Sequence, residues 1–514
     1  MRLQLSSIVV LALSFACSGP GPGPAGGGSA GGGSAAGGSA AGGSTAGGST
    51  AGGSAAGGSA AGGSAAGGSA AGGSTAGGSA AGGSAAGGSA AGGSTAGGSV
   101  GGGMTAGGMT GGIGTFVRVG FFNQALATGP DGRLHLTFLD GAAERIWYGS
   151  CASNCFTEAA WNLVELRSSA QLGTTTVGSY GVGVDNTGRV HLLVGAVTGS
   201  GMSANAIQYG TCASQCSQAS NWTWLDLSTV AQGRSIIGAT RPFVVQPSGA
   251  VSFFTRDPGV LVTCASGCTS LANWSTPVQL NADPLQLVVD GTGAFHVLID
   301  KGRSANQEVL LGYARCTSSC SVPANWPQSQ LGFLTGHPAY TASLTATASG
   351  RVFMTYNQGV ITVSTQDNRK LTVTSCAGAG CLDLTTWTSF TTGVLDEGND
   401  GAWVQADGEG VALASTTISA LHLQACDQSC QLAGGWSQSL TLDTSAAIAQ
   451  VVPPALGSSC PSSATFAAWY PKRPIVGVAP AGLAVIHNPN ALVTCPGSTG
   501  PSSRPPIGRI FTTF

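Results

Sequence analysis

Cys264-Ala265-Ser266-Gly267-Cys268-Thr269-Ser270-Leu271-Ala272-Asn273-Trp274 is one of six copies of a single phrase: two cysteines, then a tryptophan six residues after the second. The other copies are Cys151, Cys155 and Trp161; Cys212, Cys216 and Trp222; Cys316, Cys320 and Trp326; Cys376, Cys381 and Trp387; and Cys426, Cys430 and Trp436. The step from second cysteine to tryptophan never changes, although the two cysteines stand one residue further apart in the 376–381 copy. First cysteines recur every 50 to 61 residues. That period is the length of a propeller blade and exceeds most solenoid repeats.

Upstream of each phrase stands a turn glycine followed by an apolar or alternating run. The glycines are Gly132, Gly188, Gly249, Gly293, Gly350 and Gly410, and Gly482 brings the number to seven. Glycine there supplies the backbone angle of a tight turn between antiparallel strands, so each unit opens with a hairpin. A further strand leads into the first cysteine and another starts at the tryptophan, which makes four strands, A to D. The expectation is an all-β, seven-bladed propeller of four-stranded antiparallel blades over residues 116–514. In the seventh unit Leu492-Val493-Thr494-Cys495 matches a strand C, but Pro496-Gly497 follows without a second cysteine, and residues 509–514 are expected as the last outer strand. The alternative is six blades with an appended segment around Cys460 and Cys495.

The chain has 15 cysteines. Six local pairs, a seventh between Cys460 and Cys495, and Cys17 alone account for all of them. An even framework with one odd member points to an oxidising compartment. Zinc is the competing use of paired thiolates, but each pair lacks further ligands, and the 6 histidines do not match them. Redox catalysis uses a two-residue gap and has no need of repeated copies. The six tryptophans are expected to wedge between blades rather than to stack sugars. His135, His191 and His296 share one position, three residues after the turn glycine, so a structural hydrogen bond is expected there rather than catalysis. His337 and His422 have no such equivalents.

Met1-Arg2 and the apolar run from Ile8 to Leu13 read as a signal peptide over residues 1–16. The segment Leu13-Ser14-Phe15-Ala16-Cys17 resembles the lipobox of bacterial lipoproteins, which implies lipidation of Cys17, with Leu13 one position early for that pattern. An ordinary signal-peptidase cut at the same bond is the alternative and would give a secreted chain. No charged residue lies between Arg2 and Arg118, and within the tether of residues 17–115 the stretch from Gly26 to about Gly114 repeats Gly-Gly-Ser-Ala-Ala or Gly-Gly-Ser-Thr-Ala. Such a segment cannot bury a core and is expected to be a disordered tether reaching roughly 50–60 Å on average.

With 19 Lys plus Arg against 21 Asp plus Glu, the chain lacks the basic field of a nucleic-acid binder. Strand alternation places the cysteine bends and A-to-B turns on one face and the B-to-C loops on the other. Those loops collect charge, and Asp140, Arg145, Arg256, Asp257, Asp300, Arg303 and Arg369 are the ligand-face candidates. No phosphate-binding Gly-x4-Gly-Lys loop, Gly-x-Ser-x-Gly elbow or Asp-x-Asp-x-Asp-Gly calcium loop occurs. No catalytic residue, metal or cofactor is therefore assigned. The lipobox-like start, tether and cysteine-stapled repeats together resemble surface lipoproteins of myxobacterial type with a sialidase-like propeller, although no turn carries the full Asp-box pattern of sialidases. The resemblance implies a monomeric, membrane-anchored protein on the outer membrane or cell surface. Its expected function is a ligand-binding or protein/glycan interaction module, with a carbohydrate-active, sialidase-like hydrolase as the alternative.

Overall fold

The computed structural model describes residues 118–513 apart from stretches within the loops, the longest being 198–205, 359–369 and 445–464. The expected signal peptide, Cys17, the tether and the Cys460–Cys495 pair lie outside the described residues, as does His337.

Six four-stranded sheets follow one another along the chain, each an antiparallel meander in the order A-B-C-D. Blade 1 consists of Phe121–Thr128, Leu134–Asp140, Arg145–Cys151 and Asn162–Ser168. Blade 2 runs from Thr176–Val184 to Thr223–Asp226, blade 3 from Phe243–Val245 to Val278–Gln279, and blade 4 from Asp283–Val289 to Gln328–Thr335. Blade 5 runs from Ser343–Ala346 to Thr388–Leu395, and blade 6 from Ala402–Asp407 to Leu440–Thr444. The turn glycines Gly132, Gly188, Gly249, Gly293 and Gly350 hold φ between 77° and 85°, the left-handed region where a Cβ is costly.

There are six blades, not seven. The last hairpin, Ile475–Ala479 with Gly482–His487, is completed by Ile507–Thr513 and then by Arg118–Val119 from the start of the domain. Asn490–Thr494, expected as a seventh strand C, pairs instead with Thr465–Tyr470 and Ser502–Ser503 in a separate three-stranded sheet. The reason is local. A blade turns from C into D through its cysteine pair and tryptophan, and this segment has one cysteine, Cys495, followed by Pro496. Strand 507–513, expected outermost, therefore takes the place beside Gly482–His487, and the N-terminal strand caps it. This closing sheet touches blades 6 and 1 through Ile475–Ala479.

Disulfides join Cys151 to Cys155, Cys212 to Cys216, Cys264 to Cys268, Cys316 to Cys320, Cys376 to Cys381 and Cys426 to Cys430. Each fastens the bend between strands C and D. The indole N–H of each tryptophan donates to the carbonyl of its blade's second cysteine, at 2.7 Å for Trp161, 2.9 Å for Trp222, 3.0 Å for Trp274, 2.8 Å for Trp326, 3.0 Å for Trp387 and 2.8 Å for Trp436. That bond explains why the six-residue step is invariant while the cysteine gap is not. Across each junction the tryptophan meets an aromatic ring of the preceding blade: Tyr148 with Trp222, Tyr209 with Trp274, Phe254 with Trp326, Tyr313 with Trp387 and Phe390 with Trp436. Trp161 packs on Ile475, Ala484 and Ile486 of the closing sheet. The wedge reading of the tryptophans holds. Since a staple closes a loop of only about five residues, converting Cys264 and Cys268 together to serine should cost about 2 kcal/mol in a denaturation experiment. A loss above about 5 kcal/mol would mean that the pair carries more than loop entropy.

Candidate functional site

The A strands surround the axis and line a cavity of about 130 Å³. Val182, Val244, Leu287, Ala346 and Val476 contribute aliphatic surface there. Several polar groups near it are already used for stitching. Gln286 donates to Leu344 O at 2.7 Å and accepts from Leu344 N at 2.9 Å, and Thr345 Oγ1 accepts from Ala406 N at 3.0 Å. The Thr128 hydroxyl donates to Val478 O. The axis is built as a seam.

The charged loops are brought together only in part. Asp140 and Arg145 face each other at the end of the B–C hairpin of blade 1, and Arg145 pairs with Glu165 on the neighbouring strand at 2.7 Å. Asp300 lies in strand Phe295–Arg303 of blade 4, where its carboxylate accepts from Gly302 N at 2.8 Å. Asp140 and Asp300 thus belong to blades with two others between them. The backbone of Arg303 pairs with Val309. Arg256, Asp257 and Arg369 lie outside the described residues.

The stapled face holds a more developed arrangement, built on the three repeated histidines. In blades 2 and 4 the chain forms a relay from turn to strand C. Asp185 Oδ1 accepts from Thr187 N, Thr187 Oγ1 and Arg189 N, and its Oδ2 lies 3.3 Å from His191 Nε2, whose Nδ1 lies 2.5 Å from the Tyr209 hydroxyl. Asp290, His296 and Tyr313 repeat this with distances of 2.9 Å and 2.5 Å. Desolvation opposes the charge on Asp185, but the bonds from His191, Thr187 and Arg189 prevail and hold its carboxyl at about 2. The same balance holds Asp290 well below the ordinary carboxylate range. Burial raises Tyr209 to about 12 and lowers His296. These side chains are buried and bonded to one another, so the expectation of structural hydrogen bonds at the three histidines is met.

Blade 1 departs from the pattern at one residue. His135 Nδ1 sits 2.7 Å from the Tyr148 hydroxyl, but the position six residues before it is Gly129, where blades 2 and 4 have Asp185 and Asp290. A Cβ placed on Gly129 would lie 3.0 Å from His135 Nε2 and 2.8 Å from Asp131 Oδ1. Beside the His135 ring a cavity of about 270 Å³ lies between blades 1 and 2. His135, Ser150 and Asn162 are register partners across strands B, C and D and form one rung of its wall. Asp131 and Arg133 from the turn and Ser214, Gln215 and Ser217 from the staple of blade 2 add to the polar lining. His135 is only 5% exposed, and burial lowers its pKa to about 4, so it is neutral near pH 7.

The cavity residues Asp131 and Arg133, and Gly129 beside His135, were not among the sequence candidates. A signal for the relay was nevertheless present: the three blades with histidine also have tyrosine three residues before the first cysteine, while Leu261, Val373 and Leu423 stand there in the others. Among the described residues no three His, Cys, Asp or Glu side chains gather as a metal-ligand set.

No protein-family model matches this chain, and no curated protein matches it. Among solved structures, the polysaccharide lyase Uly1 is similar over 78% of this chain and 90% of its own, at 10% identity and a TM-score of 0.41. An alpha-L-arabinanase from Penicillium chrysogenum covers 77% of this chain and 98% of its own, at 11% identity and 0.37. The NanB sialidase from Streptococcus pneumoniae covers 78% and 69%, at 11% identity and 0.37.

Proposed function

We propose that this chain is an extracytoplasmic binding module, anchored through a lipid on Cys17 and held off the membrane by the tether of residues 17–115. In this reading the stapled propeller is a rigid platform, and its ligand sits between blades 1 and 2. The observation that carries the reading is the open Nε2 of His135 beside a polar cavity, where the equivalent atoms of blades 2 and 4 are taken by Asp185 and Asp290. The lipobox-like start and the oxidised cysteine framework support the location.

Two measurements on the full chain extracted from membranes test it. Intact mass should show an acylated Cys17 with residues 1–16 removed, and an unmodified Cys17 would remove the anchor from the proposal. Screening against immobilised glycans and generic nitrophenyl glycosides should give saturable binding without turnover. Turnover abolished by replacing one carboxylate of the B–C loops would establish the hydrolase in its place.

A further inference from the structure

We propose that the cavity between blades 1 and 2 binds the terminal ring of a neutral saccharide, with His135 Nε2, Asp131, Arg133 and Asn162 as its polar contacts. This rests on the binding-module reading and adds the ligand class and the site.

The cavity, about 270 Å³, is well above the roughly 10–15 Å³ that admits a single water and has room for one sugar ring. Its lining has both hydrogen-bonding polarities. Asp131 supplies carboxylate acceptors, Arg133 supplies guanidinium donors, and Ser150, Asn162 and Gln215 each supply both. The two opposite charges lie beside each other, with Arg133 Nε 3.5 Å from Asp131 Oδ2, so the site has no net charge to favour an ion. Neighbouring hydroxyls, each a donor and an acceptor, satisfy such a lining, whereas a carboxylate or ammonium would leave one partner unmatched.

His135 is the fixed point of the site. Asp185 and Asp290 hold the Nε2 proton in their blades, so Tyr209 and Tyr313 donate to Nδ1 there. Tyr148 donating to Nδ1 in the same way leaves the proton of His135 on Nε2, beside Gly129, while the ring lines the cavity. Among the described residues Nε2 has no partner, although the side chain is nine-tenths buried. Asp131 and Arg133, at the turn, are 61% and 37% exposed and form the mouth, where the rest of a glycan would leave.

The full chain labelled with ¹⁵N-histidine is titrated with glucose, galactose, mannose and N-acetylglucosamine, with their methyl glycosides, and with glucuronate and glucosamine as charged counterparts. One neutral sugar should shift the Nε2 resonance of His135 saturably, and its methyl glycoside should do the same. His191 and His296, whose Nε2 atoms are already bonded, should not move, and they report that the fold is intact. Gly129→Asp, which restores the residue type of blades 2 and 4, should abolish the shift once the exposed Asp131 side chain swings aside. His135→Phe copies Phe353 of blade 5 at the same position and should weaken binding about tenfold, as measured by calorimetry. Sugar binding that leaves His135 unmoved and survives Gly129→Asp overturns this site but keeps the module. No response to any neutral sugar, a preference for the charged ones, or binding of the free sugar without its methyl glycoside overturns the ligand class.

Discussion

Replacing Trp274 with alanine should destabilise the propeller by about 3–5 kcal/mol, the usual cost of removing a large buried aromatic side chain. Trp274 is 7% exposed and lies edge-on to Tyr209 of the preceding blade at 5.3 Å and to Phe253 of its own at 5.8 Å. Its indole N–H also donates to Cys268 O at 3.0 Å, so the alanine variant loses a wedge and leaves a buried carbonyl without its donor. Trp274→Phe keeps most of the packing and should cost about 1–3 kcal/mol, mainly through that carbonyl. Leu432, 59% exposed in the corresponding turn of blade 6, gives the contrast: Leu432→Ser should stay within about 0.5 kcal/mol. Chemical denaturation read by near-UV circular dichroism measures all three. If Trp274→Ala and Leu432→Ser had similar effects, the tryptophans would not be what joins the blades.

Stability should also fall as the pH is lowered from about 6.5 to about 4. Burial holds the folded-state pKa of His135 at about 4, below its ordinary 6.5, so between these values the unfolded chain takes up a proton that the folded one refuses. The stabilisation is fully present above 6.5 and is lost as the pH falls to about 4, where the slope from this group ends. At 1.36 kcal/mol per pKa unit the loss is on the order of 3 kcal/mol. Burial lowers His296 and His422 as well and steepens the same limb. Asp185 adds a later limb, since its carboxyl is depressed from 3.8 to about 2 and its stabilisation disappears as the pH falls through that interval. Denaturation midpoints measured across pH 7 to 2 should therefore drop in two stages. In His135→Phe the first stage should shrink while the second remains. An unchanged first stage in that variant would assign it to other groups.

The repeated features of the chain needed no coordinates. Six cysteine pairs followed at a constant step by tryptophan mark six bends, because closing so short a loop and bonding an indole to the carbonyl six residues back are both local geometry. The same holds for the A-to-B turn glycines of blades 1 to 5, whose positive φ is a property of the turn itself; in blade 6 the positive φ falls on Gly408, and Gly410, expected in that role, already begins strand B. Periodicity also places the three histidines at one structural position, although it says nothing about their partners.

Two features depended on distant parts of the chain. The seventh hairpin looked like the start of another blade, but its third and fourth strands are chosen by which segments can reach the free edge. Residues 118–119 and 507–513 reach it, while Asn490–Thr494 pairs elsewhere. The open Nε2 of His135 likewise depends on one absent carboxylate at Gly129, and the cavity beside its ring on the staple of blade 2 forming the opposite wall. Local spacing determined the blades and their fastenings, because those bonds close within a few residues. Ring closure and the open histidine were decided only in the folded molecule, because each depends on how far apart in space two remote segments come to lie.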